Sequence, residues 1–246
     1  MITDKFLRRR RGAKLTPQER ETLEAAVSNI REIPSRQIVV EAGRTLGRST
    51  LLIEGLMCRY RDDRNGLRQL VAVHVPGDFV DLHGYPLKTL DHDVATLTAA
   101  RIAEIPHRSL DEICARQPDL AKKLWYATLL DAAIHREWLF RLGRLDAAGR
   151  IAHFLCETNA RLEAVGLSDG RSFDLTITQN DLAEICGLTS VHINRVMRSL
   201  REENIMSFRS SRVQIQDLEG LRRRGQFDPD YLYLDALGTT ATDAAR

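Results

Sequence analysis

Four residues in the last third of the chain, Ser190, Val191, Asn194 and Arg195, have the types and spacing that reading a DNA base edge requires. An arginine fork matches the two acceptors of guanine, an asparagine amide matches adenine, and an aliphatic side chain suits the thymine methyl. On a helix, Val191, Asn194, Arg195 and Arg198 share one face, with Ser190 beside them. Ile193, Val196, Met197 and Leu200 fall at i, i+3, i+4 and i+7 and form an apolar stripe on another face. A valine turned to water is out of place on an ordinary solvated helix but not on one that meets a groove.

The flanking residues are those needed to hold such a helix. Thr178 followed by Asp181, and Thr189 before His192, each put a hydroxyl where a first-turn amide needs an acceptor. Gly187 between them can end the first helix in the left-handed conformation. Two short helices joined by a glycine turn, the second with one apolar and one Arg/Asn/Ser face, predict a helix-turn-helix. Ser207 to Ile215 follows as a two-stranded wing whose Arg209 and Arg212 are placed to touch phosphate.

Bulk composition neither demands nor forbids this. The chain has 246 residues, 43% of them hydrophobic, and a net charge of only +2. That is enough for two cores. Positive charge is local instead, because residues 190 to 201 contain Arg195, Arg198 and Arg201 and no acid. Cys58, Cys114, Cys156 and Cys186 form no Cys-x-x-Cys pair, which argues against zinc fingers and disulfides and fits a reducing cytoplasm. No apolar run approaches a membrane span. Arg8 to Arg11 lacks the apolar stretch of a secretory signal and reads as a solvated arm.

Upstream, Thr16-Pro17 opens a helix with Leu23, Ala26, Val27 and Ile30 on one face. From Ile38 to Ile105 short β-rich runs alternate with turns, including Asp62-Asp63-Arg64-Asn65-Gly66, and predict a small barrel or jelly roll. A long helix starts at Pro118. Its apolar residues include Leu124, Ala127, Ile134 and Trp138, and these are expected to pair it with a twin in a homodimer. The boundaries follow as 1–115 for the roll with its leading helix, 116–145 for the dimerisation helix, 146–222 for the winged helix-turn-helix and 223–246 for a C-terminal tail, disordered from Gly238 onward. The fold class is α+β.

A roll, a pairing helix and a winged reader in that order resemble the Crp/Fnr family of bacterial transcription regulators. The likeness is densest in Pro76-Gly77-Asp78-Phe79, Ala148-Gly149-Arg150-Ile151-Ala152 and Leu182 to Leu200, where Leu-Thr-Ser-Val-His-Ile-Asn-Arg looks like one subgroup. The resemblance implies a cyclic-nucleotide-binding-like roll and a cytoplasmic dimer that binds double-stranded DNA at an inverted repeat, and RNA polymerase if it is an activator. It places Ser190, Val191 and Arg195 at base edges with Asn194 adjacent. Gln179, Asn180, Thr189 and His192 then lie at helix N-termini facing phosphate. The family's effector region falls on Gly77, Asp78, Phe79, Asp81, His83 and His92. Members that bind cyclic AMP carry an Arg-Ser pair, whereas Asp91 and Asp93 stand there in this chain, which argues against cyclic AMP. The first cysteine is Cys58, which argues against an N-terminal iron–sulfur cluster. The Asp/His loop lacks diagnostic metal spacing, so no cofactor and no metal are expected, and a protein with no effector remains open. The rival reading is a regulatory module whose winged domain contacts protein. A protein-contact helix would expose aromatic and aliphatic anchors rather than Ser190 to Arg198. Phosphate loops, nucleophile elbows and zinc-protease pairs are missing from the sequence, so an enzyme is not expected.

Overall fold

In a computed structural model, described over residues 1–235, a β-roll and a winged helix-turn-helix flank one long helix. The roll is introduced by α1 (Pro17–Ala25), whose N-terminus carries a capping box between Thr16 and Glu19. Its strands are β1 (Asn29–Ile33), β2 (Ile38–Val40), β3 (Arg48–Glu54), β4 (Met57–Asp62) and β5 (Arg68–His74). After the short α2 (Gly84–Leu87) come β6 (Asp93–Thr96) and β7 (Ala100–Pro106). They pair antiparallel in two sheets, ordered β1-β7-β3 and β2-β6-β4-β5. Ile33, Leu52 and Ile102 of the first sheet meet Val40, Met57 and Val94 of the second to make the dry interior. β1 lies ahead of the stretch that the sequence marked as strands.

α3 (His107–Arg116) leads into α4 (Pro118–Arg144), a 27-residue helix with Pro118 in its first turn. α4 corrects the expected pairing surface. Leu124, Ile134 and Trp138 are buried inside the protomer and Ala127 is half-buried, so this stripe covers the roll and the reader. Asp131 on the same side ion-pairs with Arg59 of β4 at 2.6 Å. The opposite face carries Trp125, Leu129, Ala132, Arg136 and Leu139, all exposed, with alternating steps of four and three residues. The period was right and the face was wrong, because α4 is apolar on both sides.

The C-terminal unit comprises α5 (Ala147–Ala164), β8 (Ser172–Asp174), α6 (Gln179–Cys186), α7 (Ser190–Glu202), β9 (Met206–Arg209), β10 (Arg212–Ile215) and α8 (Leu218–Gly225), then a 3-10 turn at Pro229–Leu232. α8 packs along α5, and Phe227 and Leu232 are buried, so residues 223–235 belong to this unit and are not a tail. The expected disorder from Gly238 falls outside the described residues.

Roll and reader share one core. Cys58, Tyr60 and Leu70 of the roll join Phe154, Leu182 and Ile185 in a single buried cluster. Polar ties reinforce it. Arg36 of the roll forks onto Asp181 of α6, with Nη2 to Oδ2 at 2.6 Å. Arg161 of α5 reaches Asp78 at 2.5 Å and Glu157 at 3.1 Å, and Glu157 also accepts from Trp138 and Tyr231. The N-terminal segment is a second correction in part, since Arg8 and Arg11 are exposed as expected but the segment is packed. Phe6, Leu7 and Arg10 are buried, Arg10 donates to the Leu232 carbonyl, and Arg8 donates to that of Val165 at 3.2 Å. Two apolar residues anchor the segment as a strap over both units. No described helix is long and apolar enough to cross a membrane.

Candidate nucleic-acid interface

α6 and α7 are set by the local chemistry that the sequence displayed. The Thr178 hydroxyl accepts from the Asp181 amide at 3.1 Å while Asp181 accepts from the Thr178 amide at 2.6 Å, closing a capping box. Gly187 ends α6 with φ +60°, a conformation that costs a β-carbon residue strain. Thr189 caps α7 through the His192 amide. Ile193, Val196 and Leu200 are buried and Met197 half-buried, so the apolar stripe faces the core as its period required.

The other face is open. Ser190, Val191, Asn194 and Arg195 are all exposed, Val191 to 76%. Among the described residues, no side-chain hydrogen bond or ion pair engages Arg195, Arg198 or Arg209. A guanidinium with no internal partner keeps all its donors for a ligand.

The phosphate candidates divide into free and engaged groups. Gln179 is exposed at the start of α6, whereas Asn180 donates to Glu184 at 2.7 Å. Thr189 and His192 are occupied with each other, with Oγ1 and Nδ1 at 3.2 Å. Arg212 is paired across the sheet with Asp174 at 2.9 Å and also donates to Ser172, so a phosphate would have to compete for it. Sequence reasoning left Arg201 and Phe208 out of the site. Both line a groove of about 250 Å³ between α6, α7 and β9, together with Gln179, Asn194 and Arg198. Arg201 was legible, since it lies on the outward side of α7; Phe208 enters only through the packing of the wing. At the wing tip Ser210 and Ser211 both have positive φ, 49° and 61°, the backbone of a two-residue hairpin turn.

Gly77, Asp78, Phe79 and His83 converge on a second cavity, lined also by the strap, α4 and the end of α5. Gly77 is required there, because a β-carbon would sit 2.4 Å from the Lys5 carbonyl oxygen. Asp81 and His92 do not line it. Asp81 turns away to accept from the Thr50 amide at 2.5 Å, and burial pushes its carboxyl up to about 6. His92 pairs with Asp91 at 2.8 Å and stacks on His83. Burial, helped by the Arg59 charge, takes His74 down to about 4 and His83 to about 3, so both are neutral at pH 7. Burial disfavours the charge on Asp78, but Arg161 and His74 outweigh it and hold the carboxyl well below its usual range. The cavity measures about 50 Å³. That is room for a few waters, whereas sites for nucleotide-sized ligands run to roughly 300 Å³ or more. Of the arginines that line it, Arg59 and Arg161 already serve Asp131 and Asp78, while Arg8 and Arg10 donate to the carbonyls of Val165 and Leu232. Among the described residues, no three His, Cys, Asp or Glu side chains are grouped to hold a metal ion.

Known proteins show the same division. Residues 149–224 match the Crp-like helix-turn-helix domain and residues 30–117 the cyclic nucleotide-binding domain. The chain is 27% identical over 224 residues to the transcriptional activator protein FnrL of Cereibacter sphaeroides, covering 89% of this chain and 88% of that one. It is 26% identical over 207 residues to the anaerobic regulatory protein of Haemophilus influenzae, covering 84% and 80%. The fold matches the structure of FixK2 from Bradyrhizobium japonicum with a TM-score of 0.72 at 20% identity, over 86% of this chain and 98% of that one.

Proposed function

We propose that the chain is a transcription regulator of the Crp/Fnr type, as its cyclic nucleotide-binding and Crp-like helix-turn-helix domains and its relatives support, and that it reads an inverted-repeat operator as a homodimer. The exposed, unpaired face of Val191, Asn194 and Arg195 is the observation that carries this reading. Arg195 takes a guanine edge, Asn194 and Ser190 the neighbouring base and Val191 a thymine methyl. Gln179, Arg198, Arg201 and Arg209 hold the phosphates on either side. Two copies pair through the face of Trp125, Leu129, Ala132, Arg136 and Leu139, whose alternating four- and three-residue spacing suits a two-helix seam. The seam would place two readers on one face of the duplex, with half-sites about one helical turn apart. RNA polymerase is a further partner if the protein activates.

Selection of bound fragments from random DNA tests this directly. Recovered sites with two-fold symmetry support the dimeric reader, and asymmetric or unenriched pools exclude it. The small size of the roll cavity, and the acids that hold its Arg59 and Arg161, support a regulator to which cyclic AMP is not the effector. Calorimetry showing micromolar binding of cyclic AMP would overturn that part alone.

A further inference from the structure

The last four carbonyls of an α-helix have no partner within it. At the end of α6 those of Glu184, Ile185, Cys186 and Gly187 each receive a side-chain donor from outside the helix-turn-helix. Gln69 of β5 donates to the Glu184 carbonyl at 2.5 Å. Arg141 of α4 donates to that of Ile185 at 3.2 Å. Arg150 of α5 spans Cys186 and Gly187 at 3.3 and 3.5 Å. The roll, the long helix and the first helix of the reader thus meet at one turn.

Arg141 shows that this is more than packing. It is fully buried, stacks on Trp138 with its guanidinium carbon 4.1 Å from the ring centre, and leaves Nε and Nη1 without partners among the described residues. No acid pairs with it there. A buried cation so poorly compensated is a worse core filler than leucine or methionine. What it supplies is direction, a charged donor from the end of α4 onto the negative end of α6.

We propose that Gln69, Arg141 and Arg150 are positioning residues that fix the turn before α7 relative to the roll and to α4. They thereby set the half-site spacing the protein accepts. The inference rests on the dimeric reading above and concerns the separation of the two readers, not the bases each one reads.

The experiment measures affinity of the full-length protein for operators whose half-sites are moved one or two base pairs closer or further apart. Wild type should disfavour a one-base-pair change by about tenfold or more. Arg141→Leu and the more superficial Gln69→Ala should each cut that preference to about threefold or less, with base preference inside the half-site unchanged. Arg141→Gln, which retains an amide donor, should restore much of it. Variants that keep the wild-type spacing preference, or that lose spacing and base preference together, would overturn the assignment. Wild type with no spacing preference would overturn the dimeric reading itself.

Discussion

α4 and α7 each turn one face inward and one outward, yet only in α7 did the residue pattern say which was which. α7 sets Ile193, Val196 and Leu200 against Asn194, Arg195 and Arg198, so burial of the apolar stripe leaves no choice for the polar one. α4 has Leu124, Ile134 and Trp138 on one side and Trp125, Leu129 and Leu139 on the other, and either set could be core. Periodicity locates a stripe, but contrast between faces assigns it. A helix with two apolar faces has two things to cover, here its own protomer and, on our reading, a second one.

The contrast can be broken most severely on the inward face of α4. Trp138→Ala removes a buried ring and leaves Glu157 without the indole donor. It should cost about 3–5 kcal/mol in denaturant unfolding; a loss near zero would mean that this face is not core. On the outward face, Leu129→Asp with Leu139→Asp should weaken self-association by about 100-fold or more in sedimentation. An unchanged dimer would move the seam elsewhere.

Asp131 fastens the inward face electrostatically. Burial opposes its charge, but Arg59 prevails and holds its pKa at about 2. The folded value lies below the unfolded one of about 3.9, so the pair's contribution is complete above pH ~4 and disappears as pH falls towards 2. Asp131→Asn should cost about 2–3 kcal/mol at neutral pH, less than a fully buried pair because Asp131 is 25% exposed. It should also flatten the acid limb of the stability profile, and an unaltered limb would assign that limb to other carboxylates.

On α7 the effects belong to binding, not folding. Arg195→Ala should lose about 1–3 kcal/mol on the selected operator and relax one position in each half-site. Equal loss on random DNA would make Arg195 a phosphate contact. Smallest is the difference between a free arginine of α7 and an engaged one of the wing. Arg198→Ala should reduce the slope of log affinity against log salt by about 1 per reader, whereas Arg212→Ala should change it less, since Asp174 already neutralises that charge. Equal slopes would show that DNA displaces Asp174.

The legible parts of the site share one property: their determinants lie within a few residues of one another. Thr178 with Asp181, Gly187, and Thr189 with His192 are caps closed over three or four positions, and the reading face repeats over eight. The engagement of Arg212 was hidden because Asp174 is 38 residues away and meets it only through the β8–β10 register. Arg10 looked solvated for the same reason, since the carbonyl of Leu232 that receives it lies 222 positions along.

Residue order alone therefore determined the helix-turn-helix, its outward chemistry and the succession of roll, long helix and reader, because capping, turn geometry and hydrophobic period are short-range effects. Only the tertiary structure decided which side of α4 is core, that the strap and residues 223–235 are packed, and that Gly77, Asp78, Phe79 and His83 share a cavity of about 50 Å³ without Asp81 and His92. The same holds for the three donors at the end of α6. Those outcomes depend on which distant surfaces meet, and burial and ion pairing are settled by neighbours in space.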